Sequence, residues 1–290
     1  MKSMRRGITD READYQEDKS MNLKQVTSIY FSPTESTRHV VELIAEQIHG
    51  NRESLDLTDA VKTRPDYGFT ENEAVLVGVP VYGGRVPETA VRRLKRLHGH
   101  NTPAVLVVTY GNRAYEDALA ELDDSVGKQG FRHLSSAALT AQHSIVTQLA
   151  SGRPDEEDAE EIRRFANEIL MKYERILSGS EQPDGYPVPG NRPYKSWKPM
   201  QAVPEVTAAC VRCGLCARRC PVEAIPAKEP SRTDPTKCFL CMRCVAICPE
   251  KQGSCRNRLW PAWNRSWPLS WKSAGKMNGI YKEECSMDHT

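Results

Sequence analysis

QVTSIYFSPTESTRHVVELIAEQI, residues 25–48, passes from strand to turn to helix, and its reading decides the fold. QVTSIYF (25–31) is a short apolar run rich in β-branched and aromatic residues, as a buried strand requires. SPTEST (32–37) breaks it. From Thr37 to Ile48, the residues Val40, Leu43, Ile44 and Ile48 recur at three- and four-residue spacing, which gives a helix one apolar face. The same alternation continues. A weak strand lies at Ser54–Leu57, a strong one at AVLVGVP (74–80), and a helix runs from Pro87 to Leu97 with Pro87 in the first turn. PAVLVVTY (103–110) is the fourth strand, a helix covers Ala114 to Lys128, and FRHLSSAALT (131–140) is the fifth strand. Asp155 caps a last helix to Leu177, with acidic residues in its first turn. Five strands alternating with helices, several apolar throughout, predict an α/β, doubly wound parallel sheet covered on both faces. Such sheets bind ligands at the carboxyl ends of their strands, where strand order reverses.

Three of the loops at those ends have suitable chemistry. In SPTEST the amides of a helix N-terminus and the hydroxyls of Ser32, Thr34, Ser36 and Thr37 can meet a phosphate. The Gly-Lys-Ser/Thr ending of a Walker A loop is absent, and an ordinary helix cap has a similar composition. VYGGRVPE (81–88) offers two glycines for close backbone approach and Tyr82 as an aromatic surface. GNRAYED (111–117) offers Gly111, Asn112 and Tyr115. These loops follow strands one, three and four, which meet at the switch point of a flavodoxin-like sheet. Plain turns with rim aromatics are the alternative.

On these residues the segment 23–178 resembles the flavodoxin family, whose first loop often reads Thr/Ser-x-Thr-x-x-Thr. The resemblance implies FMN. Its phosphate would be held by Ser32, Thr34, Ser36 and Thr37 with the amide of Glu35. Its ring would lie between loops 80–86 and 109–115, with Pro80, Tyr82, Gly83, Gly84, Thr109, Tyr110, Gly111, Asn112 and Tyr115 around it. Tyr82 stands where many flavodoxins have Trp or a small residue. No GxGxxG follows any strand, so a Rossmann dinucleotide site and direct reduction by NAD(P)H are not expected.

After a Pro/Gly-rich linker (179–205) come CVRCGLCARRCP (210–221) and CFLCMRCVAICP (238–249). Both read C-x2-C-x2-C-x3-C-P, and every cysteine of the second lies 28 residues after its counterpart in the first. This is an internal duplication. Three thiolates at i, i+3 and i+6 on a winding loop can reach three corners of one iron–sulfur cube, while the fourth projects to the neighbouring cube. One cluster is therefore assigned Cys210, Cys213, Cys216 and Cys248, the other Cys238, Cys241, Cys244 and Cys220. Structural zinc uses two paired knuckles with a long gap, a poorer match. Residues 206–250 resemble a bacterial two-[4Fe–4S] ferredoxin, down to CPVEAI after the first run. Residues 23–250 together are similar to the flavodoxin–ferredoxin fusion proteins of anaerobic bacteria.

The composition agrees with a cytoplasmic protein: 290 residues, 39% hydrophobic, 27% charged, mean hydropathy −0.58. No apolar run approaches the roughly 18–20 residues of a membrane span. Residues 1–22 carry charges with no apolar stretch, which predicts a mobile extension rather than a secretory signal. Residues 1–178 hold 23 Lys+Arg against 28 Asp+Glu, and residues 206–290 hold 14 against 7. Two dianionic clusters would offset more than half of the basic excess, so nucleic acid is not an expected partner. Cys255 and Cys285 fall outside the duplication and read as free thiols. Trp260, Trp263, Trp267 and Trp271 form a stripe interrupted by Pro261 and Pro268, of open role.

The expected function is electron transfer between the clusters and FMN, with redox proteins as partners. The alternative is a flavin-dependent reductase of a small acceptor, with Tyr115, Arg113 or His143 as proton donor. A cluster-based sensor would need a DNA-binding or signalling segment, and no such segment is visible in the sequence.

Overall fold

The computed structural model describes residues 26–48, 52–59, 66–181, 187–198, 200, 202–250 and 253–254. The expectations for residues 1–22, Cys255, Cys285 and the four tail tryptophans lie outside the described residues.

Strand β1 (Val26–Tyr30) is buried along its whole length and pairs in parallel with β2 (Arg52–Asp56) and β4 (Ala74–Pro80). Strands β6 (Thr102–Tyr110) and β7 (Phe131–Thr140) extend the sheet to the order β2-β1-β4-β6-β7, parallel throughout. The short β3 (Tyr67–Phe69) and β5 (Leu97–Gly99) pair only with each other. With that pair set aside, the order is second, first, third, fourth, fifth, which is the flavodoxin-like order.

The period of two along each strand divides the core. Val26 and Tyr30 join Leu76, Val105 and Val107 under α1 (Ser36–Gln47) and α4 (Glu156–Leu177). Ile29 and Phe31 join Val75, Val77, Val79, Leu106 and Val108 under α2 (Glu88–Leu94) and α3 (Ala118–Gly127). Asp155 caps α4 in a reciprocal capping box with Asp158. Helix α2 is shorter than its apolar period predicts. It ends at Leu94, and the buried Leu97 belongs to β5, where it serves the same core from a strand. Likewise α3 starts at Ala118, because Tyr115 stays in the loop and packs edge-on against Tyr110. Among the described residues no helix is long and apolar enough to cross a membrane.

The chain after α4 is tied down rather than loose. Asp117 is buried and accepts hydrogen bonds from the Asn191 amide (2.8 Å), Asn191 Nδ2 (2.9 Å) and the Lys195 amide (2.7 Å). Asp124 receives Arg192 and the Tyr194 hydroxyl, and Lys195 pairs with Glu116. Val188 is buried in the sheet core. Residues 187–198 thus form a strap across the loops that follow β4 and β6.

The cysteine-rich region contains two one-turn helices, α5 (Leu215–Arg218) and α6 (Arg243–Ala246), and an antiparallel pair of short strands, β8 (Glu205–Val206) and β9 (Gly253–Ser254). The duplication is visible in the backbone. Arg212 and Gly214 have φ of 53° and 72°, and Leu240 and Met242, each 28 residues later, have φ of 58° and 62°.

Candidate functional site

The turn between β1 and α1 is held from behind. The Ser32 amide donates to Thr58 Oγ1 (2.7 Å), and Ser32 Oγ accepts the Arg38 amide (2.9 Å). Thr37 Oγ1 and Thr109 Oγ1 lie 2.6 Å apart and bind each other beneath the turn. Ser32 and Thr37 are buried and occupied with these bonds, whereas Thr34 and Ser36 face a cavity of about 480 Å³. Of the four hydroxyls read from SPTEST, two build the turn and two face the cavity.

The cavity opens at the carboxyl ends of β4, β6 and β7. Pro80, Tyr82, Gly83, Gly84, Thr109, Tyr110 and Gly111 line it; Glu35, Asn112 and Tyr115 do not. Asn112, between two lining residues, buries an Oδ1 that has no hydrogen-bond partner. The loop after β7 adds Gln142, His143 and Ser144, of which the sequence singles out only His143. His143 Nδ1 accepts the amides of Ile145 and Val146 (both 3.1 Å), and burial pushes its pKa down to about 4. It is a neutral imidazole with its proton on Nε2.

Trp197, Lys198 and Met200 of the strap and the chain just after it form another wall. A Cβ on Gly83, where φ is +61°, would fall 1.9 Å from Trp197 Nε1, so the indole lies directly on that backbone. Phe239 and Leu240, from the second cysteine run, close the remaining side. The Phe239 ring lies 5.9 Å from that of Tyr82 and 6.4 Å from that of Phe31. None of these residues stands out in the sequence, because nothing in a linker or between two cysteines shows what it will face.

The eight cysteines fall into two groups. Cys210, Cys213, Cys216 and Cys248 line one small cavity, and Cys220, Cys238, Cys241 and Cys244 another. Among the described residues, no three His, Cys, Asp or Glu side chains have the spacing to grip a single metal ion. The second group is the drier. Burial pushes the Cys241 thiol far up and that of Cys244 up to about 12. The Ala224 amide donates to Cys220 Sγ (3.3 Å). Phe239 lines both this cavity and the 480 Å³ one, so the two share a wall.

Three arginines join the cysteine region to the sheet. Arg93 of α2 donates to the carbonyls of Leu57 (2.5 Å) and Thr58 (2.7 Å) and to that of Pro221 (2.5 Å), next to Cys220. Arg219 pairs with Asp59 at 2.8 Å. Arg243, between Cys241 and Cys244, reaches into the β1–α1 turn and also bonds Asp59.

Residues 203–252 match the family model described as a 4Fe-4S dicluster domain. Over 69 residues the chain is 38% identical to the methylamine utilization ferredoxin-type protein MauM of Methylorubrum extorquens, covering 19% of this chain and 31% of that protein. Over 61 residues it is 41% identical to one component of the ion-translocating oxidoreductase complex of Methanosarcina acetivorans, covering 21% and 22%. The chain thus spans less than a third of the length of either curated relative. Among solved structures, the flavodoxin of Streptococcus pneumonia TIGR4 has a TM-score of 0.37 at 17% identity, over 51% of this chain and 99% of that one. Flavodoxin 2 of Bacillus cereus has a TM-score of 0.36 at 17% identity, over 51% and 99%. The strand order carries the fold assignment by itself. This chain joins an N-terminal flavodoxin-like fold to a 4Fe-4S dicluster domain at residues 203–252.

Proposed function

We propose that the chain is an electron-transfer protein in which two [4Fe–4S] clusters, held by the two cysteine groups, exchange electrons with FMN in the 480 Å³ cavity. The observation that carries this reading is Phe239, which lines the flavin cavity on one side and the cavity of Cys220, Cys238, Cys241 and Cys244 on the other.

The residues present suit both groups. Thr34 and Ser36 stand at the N-terminus of α1, where an anion is favoured. Tyr82, Tyr110, Trp197 and Phe239 offer aromatic surfaces for a planar ring. Bound there, FMN supplies one- or two-electron redox chemistry and each cluster supplies one-electron chemistry. The protein's own residues set distance and access. Phe239, Leu240 and Met242 keep the inner cysteine group dry against the sheet, while Cys213 is exposed and Val211 is 63% exposed beside the outer group. The outer group therefore presents the docking face for a redox partner protein, and the inner group faces the flavin.

The reductase reading has one observation in its favour: Arg113 and His143 both line the cavity. Tyr115, the third candidate donor, does not. His143 is neutral with Nδ1 occupied, so it has no acidic proton to deliver near neutral pH. Electron transfer is the better-supported function.

Anaerobic preparation followed by iron, sulfide and flavin analysis tests it. About eight iron atoms and one FMN per chain are expected, from two four-iron clusters. Zinc without a yellow chromophore would discard the proposal. Turnover of a small acceptor by cluster-reduced protein would replace it with the reductase.

A further inference from the structure

Arg243 is 1% exposed and heads the largest fully buried side chains. It sits between two cysteines of the inner group, yet its guanidinium bonds entirely outside its own domain. Nη1 donates to the carbonyls of Ser32 and Pro33 (both 3.3 Å) and to Glu35 Oε1 (3.0 Å), and Nη2 donates to Asp59 Oδ1 (3.0 Å). Nε is buried without a hydrogen-bond partner. Asp59 is shared with Arg219, and Glu35 with Arg38, which also pairs with Glu42, so three carboxylates face three guanidiniums and the cluster of charges is neutral. Net charge is then a minor part of what Arg243 does for an anion nearby. Its geometry is the larger part.

That geometry follows from the planar peptide. The unit that begins with the Pro33 carbonyl ends with the Thr34 N–H, and in a trans peptide the two point in opposite directions. A carbonyl drawn toward Arg243 turns the Thr34 amide away from it, and Thr34 is a lining residue of the cavity. The preceding unit ends in Pro33 and has no N–H to aim.

We propose that Arg243 is a positioning residue that couples the two domains. It aims the Thr34 amide of the SPTEST turn for the phosphate of FMN and clamps the inner cysteine loop beside that turn. This rests on the FMN assignment above. Phosphate binding and domain docking then strengthen each other by the same factor, as linkage requires. Arginine suits the task because a planar fork reaches four acceptors at once, which an ammonium cannot.

The test uses the full-length holoprotein with Arg243→Gln, Arg243→Lys and Asp59→Asn, the last leaving the cysteine loop unaltered. FMN and riboflavin affinities, iron and sulfide content, and amide hydrogen exchange over residues 32–37 are measured. Arg243→Gln is expected to keep its iron and to bind FMN more weakly by roughly 5- to 150-fold, with riboflavin, which lacks the phosphate, changed by less than about threefold. Arg243→Lys should fall between. Equal weakening of both flavins, or unchanged FMN affinity with iron intact, overturns the proposal. If Arg243→Gln loses iron, Asp59→Asn decides: a selective loss of FMN affinity supports the coupling, and none overturns it. If the wild-type protein binds no flavin, the FMN assignment itself has failed. The clamp is then judged by exchange over 32–37 in Asp59→Asn, where acceleration is expected and its absence overturns the clamp as well.

Discussion

Asp117→Asn isolates what holds the strap over the cavity. One carboxylate receives three N–H donors from residues 191 and 195, and it does not cap its own helix, so the change acts on the strap alone. An amide side chain has one acceptor oxygen. In its better orientation that oxygen keeps the two bonds from Asn191, now neutral, while its NH2 faces the Lys195 amide, donor against donor. Hydrogen bonds to a charged group are worth about 1.5–3 kcal/mol and neutral ones about 0.5–1.5, so at the low ends of both ranges losing one and weakening two costs about 3.5 kcal/mol. At 1.4 kcal/mol per decade, the open strap becomes roughly 300-fold more populated.

Hydrogen exchange measures this directly. The amides of Asn191 and Lys195 should exchange about 300-fold faster in Asp117→Asn, with those of β6 unchanged. Exchange at both amides within about threefold of wild type would refute the assignment of the strap to Asp117. The pH dependence has a definite sign. The Asn191 and Lys195 amides hold the Asp117 carboxyl below its ordinary value, and Arg192 does the same for Asp124. Depressed values mean stabilisation that is present above about pH 4 and lost as pH falls through the folded values. Strap opening, corrected for intrinsic exchange, should therefore increase on acidification below that point, and less so in the variant.

Three further outcomes are expected. Cys213→Ser and Cys241→Ser should each remove one cluster, about four of eight iron atoms, while FMN absorbance persists; iron content untouched by either change would contradict the ligand grouping. Gly83→Ala puts a methyl where Trp197 lies, at a left-handed φ, costing about 1–3 kcal/mol; FMN release in stopped flow should accelerate, and an unchanged rate would remove Trp197 as a wall of the site. His143 titrates near 4 when folded against an ordinary 6.5, so the unfolded chain binds its proton first and stability falls as pH drops through that interval. His143→Leu should flatten that slope, and an imidazole NMR midpoint near 6.5 in the folded protein would refute its burial.

The alternation of apolar strands and helices is enough to read the sheet, because four buried strands and one more exposed edge strand leave few alternatives once they are known to be parallel. The boundaries that slip do so for local reasons. Leu97 continues the apolar period of α2 but is used by β5, and Tyr115 fits a helix start yet turns onto Tyr110. In the site, a hydroxyl shows its chemistry in sequence but not its direction: Thr34 and Ser36 face the cavity, whereas Ser32 and Thr37 support the turn from below. The strap's prolines and glycines read as a semi-extended linker. Its anchors, Asp117 and Asp124, lie on or beside a helix roughly 70 residues earlier, a pairing that no local pattern records.

One signal in the sequence goes further than any of these. The two cysteine runs are copies, so each position between the ligands has a counterpart, and a difference there reports a difference in surroundings. Phe239, Leu240, Met242 and Arg243 stand where the first run has Val211, Arg212, Gly214 and Leu215. At three of these four positions the second run has more apolar bulk or a longer side chain where the backbone is the same. At Met242 a left-handed φ that the first run gives to glycine is borne by a side chain, at a cost of about 1 kcal/mol. That cost is sustained because Met242 and Leu240 are buried against Ile145, Met200 and Ala202, while Val211 and Arg212 lie in water. Duplicated halves diverge where their neighbours differ. Here the half that carries the bulk and a buried arginine is the half packed against the sheet, which marks the inner cysteine group as the one facing the 480 Å³ cavity.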